Sequence, residues 1–217
     1  MRPRRPRLLD LFSGAGGASV GYHQAGFDVV GVDINPQPRY PFDFHQADAM
    51  DILAAVAEGD PFYPAWGPFD AIHASPTCQH FSRATAWRGS RDDHPDLLTP
   101  TLALLARVQI PWVVENVPEA CPPLRPDYVL CGTQFGLSIR RHRAFQRGNW
   151  TAFELIQPCQ CYRNPRLLPF EHKGERAFAD AMGCTWMSKE EGRQAIPPAY
   201  TEAIGNQLLD VLAEVAS

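Results

Sequence analysis

Cys78 is the first residue in this sequence whose surroundings suggest chemistry. It stands in Ser75-Pro76-Thr77-Cys78-Gln79-His80-Phe81-Ser82, just beyond the apolar run 69–74, and the carboxyl end of a strand is where open α/β sheets hold ligands. A free cysteine with a pKa of about 8.5 is only slightly ionised at neutral pH, so a nucleophilic thiolate needs positive charge or backbone N–H groups beside it. Glu115-Asn116 closes the apolar run 112–114, and Arg141 and Arg143 flank His142 farther on. A desolvated carboxylic acid can keep a proton and deliver it, and guanidinium groups suit phosphates and polarised carbonyl oxygens. Taken singly, each has a plain structural alternative: a buried thiol, a strand-end glutamate paired with arginine, a solvated basic edge.

A second group of residues has the spacing of a cofactor turn. Asp10-Leu11-Phe12-Ser13-Gly14-Ala15-Gly16-Gly17 puts small residues where a strand passes into a helix, so a ligand can approach the backbone and meet free N–H groups. Asp33 ends the next apolar run, where a carboxylate can accept both hydroxyls of a ribose. Ser19 breaks the G-x-G-x-x-G spacing, which favours a nucleoside cofactor carrying a carboxylate over one carrying a pyrophosphate. An ordinary tight turn and a solvated aspartate are the alternative.

The elements that must position these groups follow the alternation of an open, mostly parallel α/β sheet covered on both faces. Strands are expected at 8–12, 27–32, 69–74 and 112–117. Helices are expected from the glycine turn to about Ala25, over 49–57 and 102–108, and from Ala199 onward, where Ile204, Leu208, Leu212 and Val215 recur at helical spacing. Between 157 and 173 no period favours helix or strand.

In this order the motifs resemble the DNA cytosine-C5 methyltransferase family. The resemblance implies a Rossmann-like class I methyltransferase fold and S-adenosylmethionine as methyl donor. It assigns Cys78 as the nucleophile toward C6 of cytosine, Glu115 as the acid at N3, Asn116 as its orienting partner, and Arg141 and Arg143 to the extruded base and the neighbouring phosphate. Which arginine does which stays open. It also implies a cofactor site formed by Asp10, Phe12, Ser13, Gly14, Ala15, Gly16, Gly17, Asp33, Ile34, Asp48, Ala49, Ser75, Pro76, Asn206 and Gln207. Three positions depart from the family pattern: Thr77 replaces a proline, Ile139 a glutamine, and Gln207 a serine or threonine.

The chain has 217 residues, 45% of them hydrophobic, enough for one sizeable core. The expected organisation is a catalytic domain over 1–146 and 196–217 with a short target-recognition insert over 147–195. A net charge of −4 leaves no global footprint for nucleic acid, so contacts to DNA must be local. Candidates are Arg140, Arg147, Arg163, Arg166 and Lys173, the N-terminal Arg2, Arg4, Arg5 and Arg7 as an arm or a solvated tail, and a mobile loop over 81–94 that closes on an extruded base. Trp150, Tyr162 and Phe170 read as a miniature core or as base contacts. The six cysteines fit reduced thiols in a cytoplasmic protein, with no membrane partner. No metal is expected, although Cys159 and Cys161 with His172 and Cys184 form one set of zinc-ligand types. RNA as substrate, a catalytically silent DNA-binding protein, and a donor of a group larger than methyl are the competing readings.

Overall fold

The structure is a computed structural model; it describes residues 4–60, 65–82, 90, 93–151, 157–162 and 176–215. Seven strands form one sheet in the order β3-β2-β1-β4-β5-β7-β6: β1 Arg7–Leu11, β2 Asp28–Asp33, β3 Asp43–Gln46, β4 Ala71–Ala74, β5 Trp112–Asn116, β6 Tyr128–Leu130 and β7 Arg143–Gly148. The first five in sequence are parallel, whereas β7 runs antiparallel to both β5 and β6. Among the described residues six α-helices accompany them: α1 Gly17–Ala25, α2 Ala49–Glu58, α3 Leu98–Leu105, α4 Ala177–Ala181, α5 Lys189–Gln194 and α6 Pro198–Val215.

The period-two alternation of the strands divides the core. Leu9, Leu11, Ile72 and Val114 face Ile52 and Leu53 of α2 and Leu98 and Leu105 of α3. Leu8, Ala71, Val113 and Phe145 face Ala18 and Tyr22 of α1 and Ile204 and Leu208 of α6. Removing side chains of this size from water contributes roughly 1.5–3 kcal/mol each, so the mostly parallel, double-faced sheet expected from the sequence follows from its apolar runs. Helices α1 and α6 pack side by side because glycines let them. A Cβ at Gly21 would collide with the Pro198 carbonyl and the Thr201 hydroxyl, and one at Gly205 would press on Ala25.

Some bounds shift, each with a local cause. Phe12 leaves β1 because its backbone turns to φ 58. Helix α3 starts before the expected 102, since the Asp96 carboxylate accepts from Leu98 N at 2.9 Å and Thr99 N at 3.0 Å and so caps its first turn. Strands β3, β6 and β7 carry too few alternating apolar residues to be read from sequence.

The stretch 147–195 is not one separate body at its described ends. Its beginning closes β7, and Trp150 is buried with its N–H donating to Trp112 O at 3.1 Å. Its end, α4 and α5, packs Phe178, Met182, Met187 and Ala195 on Ala15 and Ile139. Tyr162 is exposed, and Arg163, Arg166, Phe170, His172 and Lys173 lie outside the described residues.

Candidate active site

Strand order reverses between β1, which leads out to β2 and β3, and β4, which leads to β5, and the crevice at such a switch point is where doubly wound sheets bind ligands. The glycine turn lies there. Gly14 and Gly16 adopt φ 49 and 85; no heavy atom stands within 4 Å of where a Gly14 Cβ would be. Gly16 caps α1 without any side chain, so N–H groups of its first turn stay available to a ligand. Phe12, a non-glycine residue at positive φ, marks backbone strain at the same place. Asp33 braces the turn: its carboxylate accepts from Gly14 N at 3.0 Å and Asn35 N at 2.9 Å. A carboxylate has roughly four acceptor sites, so room remains for ribose hydroxyls. Ile34 beside it is 62% exposed, an apolar surface suited to a nucleobase. Asp48 is exposed and caps α2 through Met50 N, with Ala49 buried beneath it. Ser75 donates to Phe12 O at 3.2 Å, tying the Cys78 loop to the glycine turn.

Three predicted cofactor residues stand elsewhere. Asp10 is fully buried and hydrogen-bonded to Ser19, which in turn meets the Tyr40 hydroxyl at 2.8 Å. Burial raises its pKa to about 7. It is a buried brace behind the turn. Asn206 and Gln207 lie on α6 next to Gly205, which abuts Ala25 and Phe27 at the far end of α1, whereas the Ile196 backbone is what stands against Gly17. Gln207 is buried and accepts from the Tyr128 hydroxyl at 2.9 Å. An unbroken α6 carries positions 206 and 207 about two turns past the glycine end of α1.

The reactive groups converge at the carboxyl ends of β4 and β5 and the start of β7. Cys78 opens a helical turn, its carbonyl accepting from Phe81 N and Ser82 N. Burial raises its pKa, against which Arg143 and Arg141 act to lower it, while the Glu115 charge adds to the rise. Glu115 is buried, and burial raises its pKa as well, opposed by the two arginines. Arg143 Nε lies 2.7 Å from Glu115 Oε1, although that oxygen accepts no hydrogen bond of good geometry. The pairing register sets this meeting, because Glu115 is opposite Phe145 across the β5 and β7 ladder.

The two arginines separate clearly. Arg143 faces Glu115 and Cys78. Arg141 is buried, donates to Arg193 O at 3.0 Å, stacks on Phe178, and has its carbonyl held by the Tyr200 hydroxyl at 2.6 Å. Burial, with Arg143 alongside, pulls its pKa down to about 9. Asn116 does not turn toward Glu115: it donates to Pro76 O at 3.0 Å and accepts from Val117 N at 2.9 Å, holding the Cys78 loop instead.

Of the expected loop over 81–94, residues 83–89, 91 and 92 lie outside the described residues; its base is closed by His80 Nδ1 against His94 O at 3.0 Å. Arg4 and Arg7 are engaged with Asp70 and Asp28, so they stitch the start of β1 to the sheet instead of reaching for phosphate. Arg147 stacks on Tyr128 and Trp150 and pairs with Asp127 at 3.5 Å; Arg140 is exposed. Cys184 is buried in the cluster of α4 and α5, apart from Cys159 and Cys161. Sequence reasoning missed Ser19, Tyr40, Phe178, Arg193 and Tyr200, which act only through tertiary contacts and carry no local signature.

A doubly wound sheet with one antiparallel strand, a glycine turn at its switch point and a thiol near a paired acid and guanidinium defines a Rossmann-like methyltransferase. The family model for C-5 cytosine-specific DNA methylase matches residues 6–123, more than half of the chain, and the chain belongs to that family. It is 34% identical over 122 residues to the type II methyltransferase M.HgiGI of Herpetosiphon aurantiacus, across 52% of this chain and 92% of the relative. It is 32% identical over 125 residues to M.HgiDI of the same organism, across 52% of this chain and 38% of the relative. A prophage-encoded E. coli chain described as a DNA modification methyltransferase is 26% identical, with a TM-score of 0.46 over 64% of this chain and 45% of its own length. The chain therefore spans well under two thirds of M.HgiDI and of the prophage chain.

Proposed function

We infer that the chain transfers a methyl group from S-adenosylmethionine to C5 of cytosine in DNA, in the cytoplasm of a bacterial or phage-infected cell. The observation that carries this is the meeting of Cys78, Glu115 and Arg143 beside the glycine turn. The cofactor fits the residues present: Ile34 offers apolar surface to the adenine, Asp33 acceptors to the ribose, and the uncapped first turn of α1 donors to the carboxylate. When bound, it supplies an electrophilic methyl group.

C5 of cytosine is a weak nucleophile until a group adds to C6. The thiol of Cys78 loses its proton with the help of the Arg143 and Arg141 charges, and the sulfur adds to C6. Glu115, whose burial favours the protonated acid, donates at N3 and draws electrons from the ring as the C–S bond forms. Arg143 is placed to hold the O2 side of the ring, and Arg141 to buttress it. After transfer, the C5 proton passes to water, the sulfur leaves C6 as thiolate, and N3 returns its proton to Glu115, which restores the aromatic ring and the acid. A stacked cytosine hides the face that the sulfur must approach, so the base has to leave the duplex, at a cost of a few kcal/mol.

Bisulfite sequencing of DNA incubated with the protein and S-adenosylmethionine should reveal new 5-methylcytosine at a defined context, and DNA carrying 5-fluorocytosine should trap the chain covalently. Cys78→Ser should lower the rate by at least about 10⁴-fold and abolish the trapping. Normal turnover by that variant would overturn the reading.

A further inference from the structure

We propose that Cys131, His142, Cys159 and Cys161 hold a structural zinc ion that fastens the start of the recognition insert to the arginine motif. Each residue offers one ligand atom, and the four atoms lie within 4.8 Å of one another. They come from three separate places in the chain: the turn after β6, the residue between Arg141 and Arg143, and the segment 157–162. No local turn requires that convergence.

The distances suit a tetrahedral ion. His142 Nε2 is 3.5 Å from Cys159 Sγ and 3.7 Å from Cys161 Sγ. With Zn–S near 2.3 Å and Zn–N near 2.0–2.1 Å, a tetrahedron puts sulfur and nitrogen about 3.5 Å apart along an edge, and two sulfurs about 3.8 Å apart. Three thiolates and one imidazole select a soft, four-coordinate ion and leave no open position, which is the pattern of a structural rather than a catalytic zinc.

Outer partners orient the ligands as such a site requires. The Thr133 hydroxyl lies 3.5 Å from Cys131 Sγ and 3.6 Å from Cys159 Sγ, and Cys161 N donates to Cys159 Sγ at 3.4 Å. Gln134 spans the two walls, accepting from Cys131 N and donating to Gln157 O, each at 2.6 Å. Cys131 and Cys161 are buried, Cys159 and His142 partly so, and all four belong to a chain whose cysteines are free. The ligand set differs from the one that composition suggested, since Cys131 and His142 stand where His172 and Cys184 were the candidates, and it runs against the expectation of a metal-free protein.

The consequence reaches the active site through His142. Its neighbours Arg141 and Arg143 depend on the backbone that it anchors, so the ion sets the reach of Arg143 toward Glu115. So short an insert has little core of its own, and a metal staple is the usual remedy.

Protein expressed in zinc-supplemented medium and purified without chelator should contain one zinc per chain by elemental mass spectrometry. The cobalt-loaded form should show the thiolate charge-transfer and intense visible bands of a tetrahedral site. Cys161→Ser and Cys159→Ser should each weaken zinc binding by at least about 100-fold, and Cys121→Ser, which alters an exposed cysteine outside the cluster, should keep it. His142→Cys preserves four ligands and should retain the ion, which separates lost ligation from failure to fold. The proposal is overturned if reduced, folded wild-type protein takes up no zinc. It is also overturned if Cys121→Ser loses zinc as fully as Cys161→Ser.

Discussion

At the carboxyl ends of β1 and β2 the candidate cofactor turn is made of backbone, bent by glycines and braced by two carboxylates, Asp33 in front and the buried Asp10 behind. At β5 and β7 the proposed base site is made of side chains, Cys78, Glu115, Arg141 and Arg143, brought together by an antiparallel pairing. The first region needs little beyond residues within about one βαβ unit. The second is assembled over a much longer stretch, down to Tyr200 and Arg193 near the end of the chain. A site of backbone donors tolerates its surroundings; a site of buried charges depends on every partner that surrounds them.

The largest expected effect tests whether the brace behind the cofactor turn is energetically separate from the base site. Asp10 has a folded-state pKa of about 7, raised by burial from 3.8. Its contribution to stability is therefore complete below about pH 4 and is lost as pH rises through 7, about 4 kcal/mol in all. His73 opposes it: fully buried, with its pKa lowered by burial to about 3, it contributes above about pH 6.5 and loses that contribution as pH falls toward 3. The Asp10→Asn variant should lack the loss between pH 4 and 8 and retain the His73 decline on the acid side, as read by urea denaturation across pH. A parallel pH profile for wild type and variant would show that Asp10 is not held protonated.

Arg143→Ala should cost roughly 10²–10³-fold in kcat while leaving cofactor affinity within a few-fold. Because the Arg143 charge lowers the Cys78 pKa against burial, the same variant should also slow alkylation of Cys78 at any fixed pH below 9. Equal alkylation rates in the two proteins would break the link between this arginine and the thiol.

The smallest effect concerns the seam that carries the cofactor turn. Gly21→Ala would press a methyl group into the Pro198 carbonyl and the Thr201 hydroxyl, at a cost of about 1–3 kcal/mol visible as a lowered urea midpoint. If the two regions are built independently, the pH dependence of Cys78 alkylation in this variant should match that of wild type. A shift there would show that the α1 and α6 seam governs both.

Legibility divides along the same line. Phe12 to Gly17, Asp33, Cys78 and Glu115 stand out as candidates because a strand end followed by small or polar residues is a local pattern. The Asp10 role was misread, since a carboxylate beside a glycine turn looks the same in sequence whether it faces a ligand or a buried Ser19. Asn206 and Gln207 were assigned to the cofactor by motif resemblance alone, whereas the helix expected from Ala199 onward carries them past the glycine end of α1. The strands β6 and β7 were missed because an edge pair with Arg143, Gln146 and Arg147 shows no apolar alternation.

The apolar runs, the glycine turn and the order of its motifs let the amino-acid sequence alone determine the sheet class and the family and nominate Cys78 as the nucleophile, because each is encoded within a few neighbouring residues. Only the folded chain decided which arginine faces Glu115, where Asn116 points, and that Cys131, His142, Cys159 and Cys161 meet. Those outcomes depend on antiparallel register and on contacts between distant segments, which local spacing does not record.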